Sequence, residues 1–274
     1  MGHQGEQGGL GPEELLREGK PEAAVAALQS RVRKAPSDPK LRVFLFQLLC
    51  VLGNWERARD QLKALAELDP GSFPLVHLYG AAINCELLRR EVFAGTKTPL
   101  MLGEPLPWAA LLLQALSAAA QGKSGDARAL RGEALEQATA IPGTVDGQAF
   151  EWIADADSRV GPMCEAVIDG QYYWVPFERI RSIALEVPSD LRDFLWMPAR
   201  LALVNGGDTA ALLPARYPGS ESSTDGLIQL GRKTEWEETA PETFHGRGQR
   251  MLATNADEYA LLNVRLLELR GAEV

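Results

Sequence analysis

The segment Gly19-Lys20-Pro21-Glu22-Ala23-Ala24 is answered by Gly53-Asn54-Trp55-Glu56-Arg57-Ala58, at an offset of 34 residues. The same offset carries Ala24 onto Ala58 and Leu28 onto Leu62, and Asp38-Pro39 and Asp69-Pro70 close the two units. A repeat of this length, with glycine at a turn and small alanines where helices approach, specifies stacked helix pairs. One such pair cannot bury its apolar face alone, so the chain must build an array or pack the pairs on something else.

The period is that of a tetratricopeptide-type unit. In the second unit Leu41, Phe44, Leu45, Leu48, Leu49 and Leu52 recur at three- and four-residue steps and give one apolar helix face. Gly53 ends that helix, and Trp55, Ala58, Leu62, Leu65 and Leu68 form the answering face. Residues 73–93 read as a further helix ended by Gly95. After the prolines at 99, 105 and 107, residues 108–121 and 124–139 read as another pair around Gly122. Arrays of this kind commonly hold a peptide in their concave groove, and equally can serve only as a scaffold or for self-association.

From Ile141-Pro142-Gly143 the periodicity changes. Phe150, Trp152, Ala154 and Ala156 alternate with Glu151, Ile153, Asp155 and Asp157 as in a half-buried strand. Strands are expected over 163–168 and 172–177, joined by the hairpin signal Asp169-Gly170, and again over 180–187. Residues 191–196 suggest one helical turn, and 201–204 with 209–213 a hairpin across Asn205-Gly206-Gly207. Residues 218–226 read as a mobile loop, with strand-like pieces at 227–230, 248–253 and 261–269. Many short strands at close spacing imply a small barrel or sandwich. The expected class is therefore α+β in two domains: a flexible tail at 1–11, a tetratricopeptide-like helical array over 12–140, and a small strand-rich domain over 145–274.

A net charge of −9 opposes binding to nucleic acid backbones and to anionic lipid. The three cysteines, Cys50, Cys85 and Cys164, are isolated in apolar runs and read as buried thiols of a reducing compartment. The N-terminus is polar and glycine-rich, and no apolar run reaches the ~20 residues a membrane span needs. A cytoplasmic location is expected.

Chemistry-bearing constellations are few. Asp155 and Asp157 form an Asp-x-Asp, with Arg159 close enough to neutralise them, so a turn held by charge-assisted hydrogen bonds is the favoured reading over a metal pair. His245 sits between Phe244 and Gly246-Arg247-Gly248, where arginines could meet an anion, but a dinucleotide fingerprint needs such glycines entering a helix. Asp155, Asp157, Arg159 and His245 together are the alternative site of a small-ligand-binding or metal-dependent enzyme domain. No catalytic set, metal site or cofactor is expected.

The chain resembles the ImpE family, also called TagJ, accessory proteins of bacterial type VI secretion systems. The resemblance runs from about Leu28 to Leu269 and is carried by Lys40–Leu49, Gly53–Ala58, Phe150–Pro162 and Tyr172–Phe177. Asp190-Leu191-Arg192-Asp193, Leu195–Pro198, Arg232–Trp236 and Gly248–Leu252 add to it. It implies a non-enzymatic adaptor that binds the N-terminal helix of the small contractile-sheath subunit and is thereby linked to the AAA+ ATPase that disassembles the sheath. Helix-repeat logic makes Phe44, Gln47 and Trp55 the candidate contacts.

Overall fold

The computed structural model describes residues 10–270. Most of the expected tail, and the last residues of the strand-rich half, lie outside them.

Helices α1 (Pro12–Arg17), α2 (Pro21–Lys34), α3 (Pro39–Val51), α4 (Trp55–Leu68) and α5 (Phe73–Phe93) follow the repeat, and α6 (Pro107–Ala120) and α7 (Ser124–Gln137) form the later pair. Local chemistry sets their ends. Asp38 accepts from the amides of Lys40 and Leu41 at 2.9 and 3.4 Å, and Pro39 takes the first helical position. At the end of α5, Gly95 has φ +68° and lies so close to α6 that a Cβ there would meet the Leu116 carbonyl oxygen at 2.9 Å.

Strands are β1 (Leu100–Met101), β2 (Gly143–Val145), β3 (Gln148–Phe150), β4 (Ile153–Asp155), β5 (Met163–Ile168), β6 (Gln171–Pro176), β7 (Ile180–Leu185), β8 (Trp196–Leu203) and β9 (Asp208–Pro214). A short helix α8 (Gly226–Gln229) precedes β10 (Thr234–Ala240), β11 (Thr243–Gly248), β12 (Met251–Thr254), β13 (Glu258–Ala260) and β14 (Leu266–Leu269). Nine strands form one sheet in the order β1-β6-β5-β9-β8-β7-β14-β2-β3, antiparallel except for β1 against β6. A smaller sheet has the order β13-β12-β4, and β10 pairs with β11.

Every residue of β5 is buried, which tells how the layers stack. Met163 and Val167 join Phe46, Leu49, Trp55, Tyr79 and Val92 of the helices in one cluster, together with Tyr172, Trp174, Trp196 and Leu212. The alternate residues Cys164, Ala166 and Ile168 join Ile153, Leu252 and Leu261 on the opposite face. Helices thus cover one face of the large sheet and the small sheet covers the other. The change near residue 141 is a change of secondary structure, and packing continues across it: the helical array shares its core with the sheet.

Several local expectations are corrected. The strand through Asp157 stops at Asp155, because Asp155 Oδ1 accepts the Asp157 amide at 2.8 Å and Asp157 Oδ1 accepts the Arg159 amide at 2.9 Å. These side chains offer the backbone turns in place of ladder partners. Residues 227–230, expected as strand, begin in α8, capped by Asp225, whose Oδ1 accepts from the Leu227 amide at 2.8 Å. The 218–226 segment is docked: Ser220 is fully buried and its Oγ accepts the Gly248 amide at 2.8 Å.

Candidate functional site

A groove of about 610 Å3 lies against α3, with the α4–α5 turn along one side and residues 189–191 at its end. Val43, Phe44 and Leu75 are half-buried along it, and Lys40 and Asp69 stand at its rim. Its end is built by polar contacts. The buried Asp193 carboxylate accepts the amides of Ser189 and Asp190, both at 2.8 Å. Asp190 in turn accepts from Gln47 Nε2 at 3.4 Å and pairs with Arg192 at 2.7 Å, while Arg192 lies over the Tyr79 ring at 5.0 Å. Phe44 and Gln47 therefore border the groove, Gln47 with little of its side chain free. Trp55 does not: it is buried against Trp196, ring centroids 6.2 Å apart, so its expected role as a contact residue is corrected to a core one.

Of the alternative set, Asp155 and Asp157 point into the protein. Asp155 pairs with the buried Arg250 and accepts from Tyr217 Oη at 3.2 Å. Burial raises its carboxyl, Arg250 pulls it back and Asp157 pushes it up again, leaving it at about 6. Asp157 is fully buried, holds Arg159 through Nε and Nη2 at 2.9 and 2.6 Å, and accepts the Gly246 amide at 2.8 Å. No cluster of three metal-ligating side chains occurs among the described residues.

Arg159 and His245 instead face a second cleft, of about 510 Å3, between α6–α7 and the β10–β11 hairpin. Its helical wall is apolar at Phe93, Leu112, Ala115 and Leu116 and carries Arg131 on α7, while Ser158 and Thr243 stand on the opposite wall. The Arg159 guanidinium lies over the Phe93 ring at 4.9 Å. Burial and the neighbouring Arg159 hold the His245 pKa below its ordinary value.

A further charge cluster, Arg89, Glu165, Arg250 and Asp155, all buried, was missed from the sequence. A lone glutamate inside the apolar strand Met163-Cys164-Glu165-Ala166-Val167-Ile168 was the available signal, since a buried charge requires a partner. Arg131 carried no signal of its own, being one of two arginines on a polar helix.

Among the described residues no helix is long and apolar enough to cross a membrane. Residues 147–268 match the family model described as ImpE protein, and residues 15–82 match a tetratricopeptide repeat model. The chain is 50% identical over 261 residues to the type VI secretion system accessory component TagJ of Pseudomonas aeruginosa, covering 95% of this chain and 92% of that protein. A Vibrio parahaemolyticus protein solved by X-ray crystallography superposes with a TM-score of 0.87 at 22% identity, over 94% of this chain and 97% of that one, and so shares the fold.

Proposed function

The chain belongs to the ImpE family, and from that premise we propose that it is an accessory component of a type VI secretion system, acting by capture of a helical peptide. The captured segment is the N-terminal helix of the small contractile-sheath subunit, and its capture modulates how the AAA+ disassembly ATPase handles the sheath. The reading rests chiefly on one observation, the open groove along α3 in which Val43, Phe44 and Leu75 offer apolar contact inside a rim of Lys40, Asp69 and Asp190.

An amphipathic helix docks by placing residues at i, i+3, i+4 and i+7 against an apolar floor while its polar face stays in water. The groove supplies such a floor on a rigid support, because α3 is anchored on its other side by fully buried Phe46, Leu48 and Leu49. Preformed surfaces of this kind lose little on ordering, which favours binding of a segment that itself becomes helical.

Isothermal calorimetry with a synthetic peptide of the sheath subunit's first helix tests the reading. Saturable binding that weakens about tenfold or more in Val43→Glu is expected, since a charge would be placed on the floor. Binding that is absent in the wild type, or untouched by that substitution, would overturn it.

A further inference from the structure

The second cleft has a different chemistry from the α3 groove. Its volume of about 510 Å3 falls in the range of small-molecule sites. One wall is aliphatic and aromatic, from Phe93, Leu112, Ala115 and Leu116. Two guanidinium groups of unequal standing also line the cleft. Arg159 is neutralised by Asp157 through two hydrogen bonds of 2.9 and 2.6 Å. Arg131 is half-buried, donates to Thr243 Oγ1, and has no carboxylate within salt-bridge distance among the described residues.

We propose that this cleft binds a small amphipathic carboxylate, with Arg131 taking the carboxylate and the apolar lining, from Phe93 on α5 to Ala119 on α6, taking an apolar body. A guanidinium offers a planar fork that matches a carboxylate with two parallel hydrogen bonds. The Thr243 hydroxyl accepts from Arg131 across the cleft, and Ser158 also lines it. Charge selects a monoanion over a phosphate. The cleft has one uncompensated cation, and the Asp157 carboxylate behind Arg159 repels a second negative charge. His245 adds none, because burial and Arg159 keep its ring neutral at pH 7. The apolar lining then selects against small hydrophilic anions, whose binding would leave the half-buried Phe93 and the exposed Ala94 and Ala119 facing water.

Octanoate is the probe, titrated into the full-length protein and followed by calorimetry, with octan-1-ol and octylamine as neutral and cationic counterparts. Octanoate is expected to saturate one site and to bind about tenfold or more tightly than either counterpart. Arg131→Gln should weaken it by a similar factor. Ala119→Trp, at an exposed position on the cleft's edge, should block it without disturbing the core, which a thermal melt of each variant checks. Equal binding of octan-1-ol, octanoate affinity unchanged in both variants, or no saturation at millimolar octanoate would each overturn the proposal. Sheath-peptide binding in Ala119→Trp separates the two sites: it should match wild type, whatever becomes of the groove reading. Displacement of octanoate by that peptide would assign the cleft to the peptide and overturn the small-molecule occupant.

Discussion

Arg89 on α5 donates Nε and Nη2 to the two carboxylate oxygens of Glu165 on β5, at 2.6 and 3.0 Å. The same Nη2 reaches the Arg216 carbonyl at 2.9 Å, and Arg250, just before β12, holds Glu165 from its other side. Tyr172 adds its hydroxyl to Glu165, and Trp174 Nε1 donates to Tyr172 Oη at 2.6 Å. Glu86 also pairs with Arg89, at 3.4 Å, so the two arginines of this cluster meet three carboxylates, Glu86, Glu165 and Asp155.

Such a cluster is tolerated while complete and costly once a partner is removed. Glu165→Gln should therefore destabilise the protein by about 3–5 kcal/mol, because two buried guanidinium groups lose their shared charge. Urea unfolding of the variant against wild type measures it, and a loss below about 1 kcal/mol would mean that solvent reaches the cluster.

The same carboxylates predict the pH dependence, with opposite signs. Burial alone would raise Glu165, but Arg250 and Arg89 outweigh it and bring the group from 4.5 to about 2. Its contribution is present above pH 4.5 and is lost as pH falls through about 2, a change of roughly 3 kcal/mol. Asp155, raised from 3.8 to about 6, does the reverse: its favourable contribution is present below pH 3.8 and disappears as pH rises through 6. Unfolding free energies measured from pH 3 to 8 should thus lose their decline between about pH 4 and 6 in Asp155→Asn, relative to wild type. An unchanged profile in that window would place the Asp155 carboxyl at its ordinary value.

Much of this architecture was legible from periodicity. The offset of 34 located α2 to α4, and the stretch 73–93 reads as one helix in both sequence and structure. The β5–β6 hairpin followed from Asp169-Gly170, both with positive φ. The equivalent Asp146-Gly147 signal, also at positive φ, turns β2 into β3 and was passed over. What stayed hidden was non-local. Nothing in the residues near Trp55 says that Trp196 covers it, and nothing near Arg89 says that Glu165 lies 76 positions further on. The β10–β11 hairpin was missed because β10 is mostly exposed and the buried positions of β11 are Thr243, Gly246 and Gly248, so no alternation of apolar and polar side chains marks it.

Gly246 shows how closely that hairpin is fitted. Its amide donates to Asp157 Oδ2 at 2.8 Å, and a Cβ built on it would sit 2.3 Å from two atoms of the buried Tyr217 ring. Tyr217 is itself held by Asp155 and by the Met251 carbonyl, both at 3.2 Å, so the ring cannot withdraw cheaply. Gly246→Ala should cost about 1–3 kcal/mol and shift β11 off the loop at 155–159. Amide exchange at residues 157 and 246 should accelerate in step with the loss of stability. Unaltered protection there would show that the hairpin moves as a free arm.

Phe44 and Trp55 separate binding from folding within one repeat unit. Phe44 is half-buried beside the α3 groove, whereas Trp55 is only 6% exposed and packs on Trp196. Truncating a buried tryptophan removes its transfer free energy and leaves a cavity, so Trp55→Ala should destabilise by about 3–5 kcal/mol. Peptide affinity measured well below the variant's melting temperature should then stay near that of wild type. Phe44→Ala should show the opposite balance, costing about 1–2 kcal/mol of stability while weakening the sheath peptide about tenfold or more. The contrast is what carries weight, because a substitution that only loosened the fold would move both quantities together. If Trp55→Ala abolished peptide binding while Phe44→Ala spared it, the captured helix would have to lie on a face other than the α3 groove.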